Sequence, residues 1–362
     1  MKQESVLQRT VLILALFGLI IAGLFYSREF LAPIMFGMLL AMLFLPLVKW
    51  FQEKGVPHVL AIIFCLLIFL LVVGGLIFLL TWQMGNLEAD TAKLEQQIKA
   101  LTENVQNFIS KKIGLSVKKQ DELISMQAEA GASGAGSKVV GVVSFITSFL
   151  VDFILVMVYI FLFLYFRTHL KTFVLKLSPP EEKKRAENII HDSAKVSQQY
   201  LSGLAMMIAG LWIMYGIGFS LIGVKYAVFF AVLCGLLEIV PFVGNLTGTA
   251  ITLLFSASQG ASSTQLLLIL ATYMLIQFIQ TYLLEPLVVG SKVNINPLFT
   301  IIALVAAELI WGIPGMVLAL PILGIIKIIC DHIEHLQPYG MLIGERIEPR
   351  KRRQRSTLKK GK

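Results

Sequence analysis

Charge is scarce in this chain. Of its 362 residues only 15% are Asp, Glu, Lys or Arg, while 57% are hydrophobic and the mean hydropathy is +0.80. A soluble globular domain carries roughly 25% charge and 45–50% apolar residues. The shortage excludes that class and leaves an all-α, polytopic membrane protein. Cysteine is rarer still. Cys65, Cys234 and Cys330 stand in apolar runs with no C-x-x-C pair, so no disulfide framework is expected. Histidine is equally thin. His332 and His335, with Asp331 and Glu334, have helical spacing for a metal, but two histidines at the end of a span are the ordinary mark of an interface, and no metal or cofactor is expected. The glycine-rich GASGAGSK at 131–138 imitates a phosphate loop yet has Ser137 where the lysine must stand. Its GASG imitates an intramembrane protease motif, but in a small-residue linker and with no mid-span histidine to activate the serine. Neither an ATPase nor an enzyme is expected, so any transport must draw on a gradient.

What the chain has in abundance is long apolar runs. A helix needs about 20 apolar residues to cross the hydrocarbon. Eight segments qualify, at roughly 10–26, 30–50, 57–83, 139–166, 201–223, 226–257, 264–289 and 298–330. The first lacks the small-x-small site of a cleaved leader and is followed by Arg28 and Glu29, so it is kept as a span. The chain divides into a three-span region (1–83), a soluble insert (84–137), a fourth span (138–166), a cytoplasmic surface helix (167–200), a motif-rich membrane region (201–335) and a basic tail (336–362). In the insert Leu87, Leu94, Leu101 and Phe108 recur every seven residues, with Ile98 and Val105 at the other seam position. This fits a short coiled coil, and so a homo-oligomer, or an amphipathic helix lying on the bilayer. Ser178 with Pro179 and Glu181 forms a helix-start signature. Nine of the 31 Lys and Arg lie between Arg346 and Lys362. Beside a span such a tail reads as an orientation signal and an anionic-lipid contact, not as a nucleic-acid site. Counting Lys and Arg in alternate loops places both termini in the cytoplasm.

The last third breaks the pattern. Residues 298–330 would make a helix ~50 Å long, too long for a ~30 Å core unless it is tilted or broken. The break is written as Trp311-Gly312-Ile313-Pro314-Gly315, and Pro241 and Gly244 divide 226–257 in the same way. Each run is either a kinked span or a hairpin of two half-helices. Four acids interrupt the apolar runs, namely Asp152, Glu238, Glu285 and Glu308. A charged acid near mid-membrane costs about 2.5–3.5 kcal/mol, so such residues rarely face lipid. Three of them sit beside helix breakers: Glu238 with Pro241, Gly244 and Asn245; Glu285 with Pro286 and Gly290; Glu308 with Gly312, Pro314 and Gly315. Asn294 and Asn296 lie between the last two groups. Proline removes an intrahelical donor and frees carbonyls, which hydrocarbon tolerates only against protein or a wet cavity. Discontinuous helices of this kind form the sites of many secondary transporters. Tyr273, Gln277, Thr281 and Glu285 repeat every four residues as a polar stripe, which reads either as pathway lining or as glue between helices.

Three stretches, LEIVPFVGN (237–245), LLEPLVVGSKVNINPL (283–298) and ELIWGIPGMVLALPILGIIK (308–327), resemble the C-terminal signature of the autoinducer-2 exporter family. The order of spans, insert and surface helix is similar too. The resemblance implies a multi-pass transporter of the bacterial inner membrane, with members assigned to autoinducer-2 export and others to sodium(lithium)/proton antiport. The expectation is therefore a gradient-driven exporter of a small polar molecule. The alternatives are an antiporter for a monovalent cation and proton, and a non-transporting scaffold assembled through the 84–110 helix. The candidate pathway residues are Glu238, Pro241, Gly244, Asn245, Gln277, Thr281, Glu285, Pro286, Asn294, Asn296, Glu308, Gly312, Pro314 and Gly315, with Glu238 and Glu285 binding the proton or cation and Glu308 supporting them.

Overall fold

A computed structural model describes residues 2–87, 135–240, 243–289 and 295–345, with side chains over 8–83, 150–240, 244–284 and 295–345. Residues 88–134 of the insert, Pro241, Gly290, Asn294 and residues 346–362 of the tail lie outside the described residues. Apart from an isolated bridge between Ile295 and Gly344, the regular structure among them is helical. Six helices are long and apolar enough to span a membrane, or seven if a pair bent by 65° is one span. All eight apolar segments of the sequence are found as helices or helix pairs.

The first region is α1 (Lys2–Tyr26), α2 (Arg28–Glu53) and α3 (His58–Leu87), joined by α4 (Ala135–Tyr165). From Val11 to Tyr26 α1 is apolar on every side and almost wholly exposed, as expected of a helix facing lipid. Val48, Ala61, Ile62, Cys65, Ile160 and Leu164 form the buried seam between α2, α3 and α4. At one end the seam closes with a polar clasp, where Arg167 Nη2 donates to Gln52 Oε1 at 3.2 Å and Gln52 Nε2 meets His58 Nδ1 at 2.6 Å. The chain then turns by 65° into α5 (Arg167–Leu177).

A 3₁₀ turn (Pro180–Glu182) leads into α6 (Lys183–Ile222), a helix of 40 residues. The surface helix expected over 167–200 is found in two parts, α5 and the first turns of α6, the second running on without a break into the fifth apolar segment. No proline interrupts Lys183–Ile222, and a polar first half and an apolar second half form one rod. The predicted start at Ser178 is not used as a cap. The Ser178 hydroxyl donates back to the Val174 carbonyl at 3.1 Å, closing α5 instead. On α6, Met207, Leu211, Tyr215 and Phe219 recur every four residues and pack against Phe230, Cys234, Phe255, Ile269 and Ile276. Lipid tails are as apolar as these side chains, so this core is held by close packing and not by escape from water.

The two interrupted runs are hairpins. In the first, α7 (Ala227–Leu237) and α8 (Val243–Ser258) run antiparallel, with Phe230 on Phe255 at 5.0 Å between ring centroids and Cys234 Sγ 3.7 Å from Thr252 Oγ1. At 11 and 16 residues they are about 16 and 24 Å long, each short of a ~30 Å core. Lys225 Nζ donates to Gln259 Oε1 at 3.1 Å, so both ends lie on one membrane face. After α9 (Ser263–Ile279) and a π-helix (Gln280–Val289), the second hairpin joins α10 (Pro297–Trp311) to α11 (Ile313–His332). Gly312 makes the turn at φ +65 and ψ −146, a conformation open essentially to glycine alone. The Asn296 N–H donates to the Ile343 carbonyl at 2.8 Å, which ties the start of α10 to the chain beyond α11. A 3₁₀ turn (Glu334–Leu336) and α12 (Gln337–Ile343) finish the described chain.

Candidate functional site

The tip of the first hairpin carries a carboxylate into the protein. α7 ends at Leu237, and Glu238 follows on the first non-helical turn, only 9% exposed. Gly244 opens α8 directly against that turn. A Cβ placed there would collide with the Leu237 carbonyl, so the two half-helices can pack this closely only because the residue is glycine. Gln280, itself 5% exposed, donates from Nε2 to Glu238 Oε1 at 2.6 Å. A hydrogen bond to a carboxylate contributes about 1.5–3 kcal/mol, enough to offset much of the charge's burial cost.

Around this pair lies a cavity of about 500 Å³. Tyr200, Leu204 and Met207 line it from α6, Asn245 from α8, Tyr273 and Gln277 from α9, Gln280 and Thr281 from the π-helix, and Thr300, Leu304 and Leu320 from the second hairpin. Its polar wall is a connected chain. The Tyr215 hydroxyl donates to Asn245 Oδ1 at 3.0 Å, Asn245 Nδ2 donates to Gln277 Oε1, and Gln277 Nε2 reaches Thr281 Oγ1 at 3.4 Å. The side-chain oxygen of Gln280, Oε1, is buried without a protein partner among the described residues. The cavity thus offers a carboxylate on one side and amide donors on the other, which suits a ligand that is cationic or rich in hydroxyls.

Of the residues singled out in the sequence, Glu238, Asn245, Gln277 and Thr281 meet in this cavity, and Gly244 shapes its tip. Glu285 and Pro286 fall in the π-helix by their backbone, but their side chains, like all of Pro241 and Asn294, lie outside what is described. Asn296 caps α10, its side chain accepting from the Leu298 N–H at 2.9 Å. Glu308 is exposed on α10 and does not line the Glu238 cavity; its carbonyl accepts from Gly312 at 2.7 Å. Gly312 and Pro314 form the second hairpin's turn, and Gly315 lines a separate apolar cavity of about 330 Å³ with Leu24, Met35 and Trp311. Asp152 is exposed on α4. His332 Nδ1 is bound to the Ile328 carbonyl, with Nε2 3.5 Å from Asp192.

Gln280 was not visible as a site residue in the sequence. The four-residue stripe from Tyr273 passes over it, and the π-helix that begins there widens the turn and re-aims the side chains. Pro286, which has no N–H to give to an α-helical ladder, is the signal for that change.

Membrane-length helices closed around a polar, carboxylate-bearing cavity, with two broken hairpins, are the build of a membrane transporter. The chain belongs to the AI-2E transporter family, whose profile matches residues 11–335. It is 24% identical to YrrI of Bacillus subtilis over 307 residues, covering 83% of this chain and 85% of that one. It is 25% identical to YueF of the same organism over 317 residues, 82% and 84% of the two chains. It is 21% identical to YhhT of Escherichia coli K12 over 341 residues, 91% and 93% of the two. All three carry provisional names as transport proteins.

Proposed function

We propose that this chain is a gradient-driven transporter that moves a small polar solute through the Glu238 cavity, with Glu238 as the group that takes and releases the coupling proton or cation. The observation that carries the reading is a carboxylate 9% exposed, held by Gln280 at 2.6 Å, at a helix break inside a cavity of about 500 Å³. A buried acid that served only packing would be costly and replaceable; one that trades partners during transport repays its position. The family's name points to autoinducer-2 as the solute and export as the direction. The amides and hydroxyl of Asn245, Gln277 and Thr281 on the cavity wall suit a molecule rich in hydroxyls. The same carboxylate favours a second reading, sodium/proton antiport with no organic solute.

Both readings place the termini in the cytoplasm of a bacterial cell, with the tail against anionic lipid. The two hairpins leave an even number of crossings. Arg185–Glu334 at 3.2 Å and His332–Asp192 at 3.5 Å put the start of α6 and the end of α11 on one face. Purified chain in proteoliposomes tests the proposal. Autoinducer-2 efflux under a proton gradient, lost in Glu238→Gln, supports export, while proton release on adding sodium, lost in the same variant, supports antiport. If either activity survives Glu238→Gln at full rate, the assigned role of Glu238 fails.

A further inference from the structure

One side of α8 is polar where the protein around it is aromatic. Asn245, Thr249, Thr252, Ser256 and Gln259 follow at steps of four, three, four and three, so they share one helix side. Thr249 is 3% exposed, Thr252 0% and Ser256 5%, within a core of Tyr215, Phe219, Phe230 and Phe255. A buried hydroxyl on a helix ordinarily satisfies itself on the preceding turn. Thr252 does so on the Gly248 carbonyl at 2.8 Å, and Ser258 on the Phe255 carbonyl at 2.7 Å. Thr249 Oγ1, Ser256 Oγ and Gln259 Nε2 are buried with no partner among the described residues. Unpaired polar atoms in such a core call for an explanation.

The row has two defined ends. Asn245 lines the Glu238 cavity, and Gln259 accepts from Lys225 at the exposed base of the hairpin. Its spacing is also specific. At 1.5 Å per residue the side chains stand about 4.5–6 Å apart along the axis. Two hydrogen bonds through one shared water span about 5.6 Å. A hydroxyl both donates and accepts, so it can take a proton on a lone pair and release its own toward the next neighbour, staying neutral with no heavy-atom bond changed.

We propose that the three hydroxyls of this row, Thr249, Thr252 and Ser256, with water between them, are a proton route between Glu238 and the membrane face that carries Lys225, and that the amides of Asn245 and Gln259 hold the water at its two ends. It rests on the proposed role of Glu238 and adds the path by which that carboxylate reaches water. A single file of hydroxyls serves protons and not an organic solute, so solute and proton leave the cavity by different ways.

The test uses the full chain in vesicles, with Cys65, Cys234 and Cys330 replaced by Ala. Thr249→Cys or Ser256→Cys is exposed to Ag⁺, which reaches thiols through water, and each is compared with Leu254→Cys on the exposed side of the same helix. Both row positions should react at least an order of magnitude faster than Leu254→Cys, whether or not Glu238→Gln is also present. If Glu238→Gln leaves transport intact while the row still reacts, the transport role of Glu238 falls and the wet row stands. If both row positions react no faster than Leu254→Cys, the proton route is overturned. In the native-cysteine chain, sodium-driven proton movement read by an entrapped pH dye should slow at least an order of magnitude in Thr249→Val/Ser256→Ala and persist in Thr249→Ser. A native rate in the Val/Ala pair also overturns the proposal.

Discussion

The two hairpins share a plan and differ in chemistry. Each is a pair of helices turned at a glycine-bearing break, and each packs its arms together inside a run too long for one span. The first ends in Glu238 and runs on into the polar side of α8. The second turns at Gly312, lines its apolar cavity with Ala303, Ala306 and Ala307, and leaves Glu308 exposed. An acid beside a helix break therefore does not by itself end up in a polar cavity. What separates Glu238 from Glu308 is a buried partner, Gln280, and a cavity built by six other elements. The first hairpin brings a carboxylate into the cavity; the second closes its wall with Thr300, Leu304 and Leu320.

That contrast can be broken by mutation. The largest effect is expected from Glu238→Gln, which should reduce transport in proteoliposomes to background while the protein still elutes as a folded species. Gln280→Leu comes next. It removes a hydrogen bond to a carboxylate worth about 1.5–3 kcal/mol, so transport should fall roughly tenfold to a hundredfold, with KM rising more than kcat falls. Gly312→Ala acts on the fold of the second hairpin. It should cost about 1–3 kcal/mol, seen as a lower melting temperature in detergent, because the side chain is forced into a glycine-only conformation. Asn296→Ala, which loses the cap of α10, should cost about 1 kcal/mol by the same measurement. Glu308→Gln should shift stability by no more than about 0.5 kcal/mol and leave transport near the native rate, as an exposed substitution does. A Glu308→Gln variant as inactive as Glu238→Gln would erase the distinction between the hairpins.

Much of this architecture was legible in the sequence because the membrane imposes a length rule. Runs of apolar residues gave the eight segments, and Pro241, Gly244, Gly312 and Pro314 marked where two of them fail to be straight. The choice between a kink and a hairpin was not legible. It depends on contacts between distant residues, Lys225 with Gln259 and Asn296 with Ile343, which no local pattern records. In the site, Glu238, Asn245, Gln277 and Thr281 were visible as polar residues with no business in lipid. Grouping Glu308 with them followed from sequence spacing alone, and the fold sends it elsewhere. Gln280 was hidden because the stripe was read with an α-helical period and the backbone changes period at that residue. The separate surface helix was drawn from polarity, yet polarity changes along α6 without any change in backbone.

The continuity of α6 has a mechanical consequence. Its 40 residues make a strut about 60 Å long. One end is pinned outside the bilayer by Lys171–Glu187 at 2.5 Å and Arg185–Glu334 at 3.2 Å, and Met207, further along, touches the wall of the Glu238 chamber. A rod so long acts as a lever. Swinging it by about 5° at the pinned end carries Met207, about 36 Å along the rod, by about 3 Å, the width of a water-sized aperture. Whatever tugs on that anchorage is thereby geared to the chamber without a relay of intermediate parts.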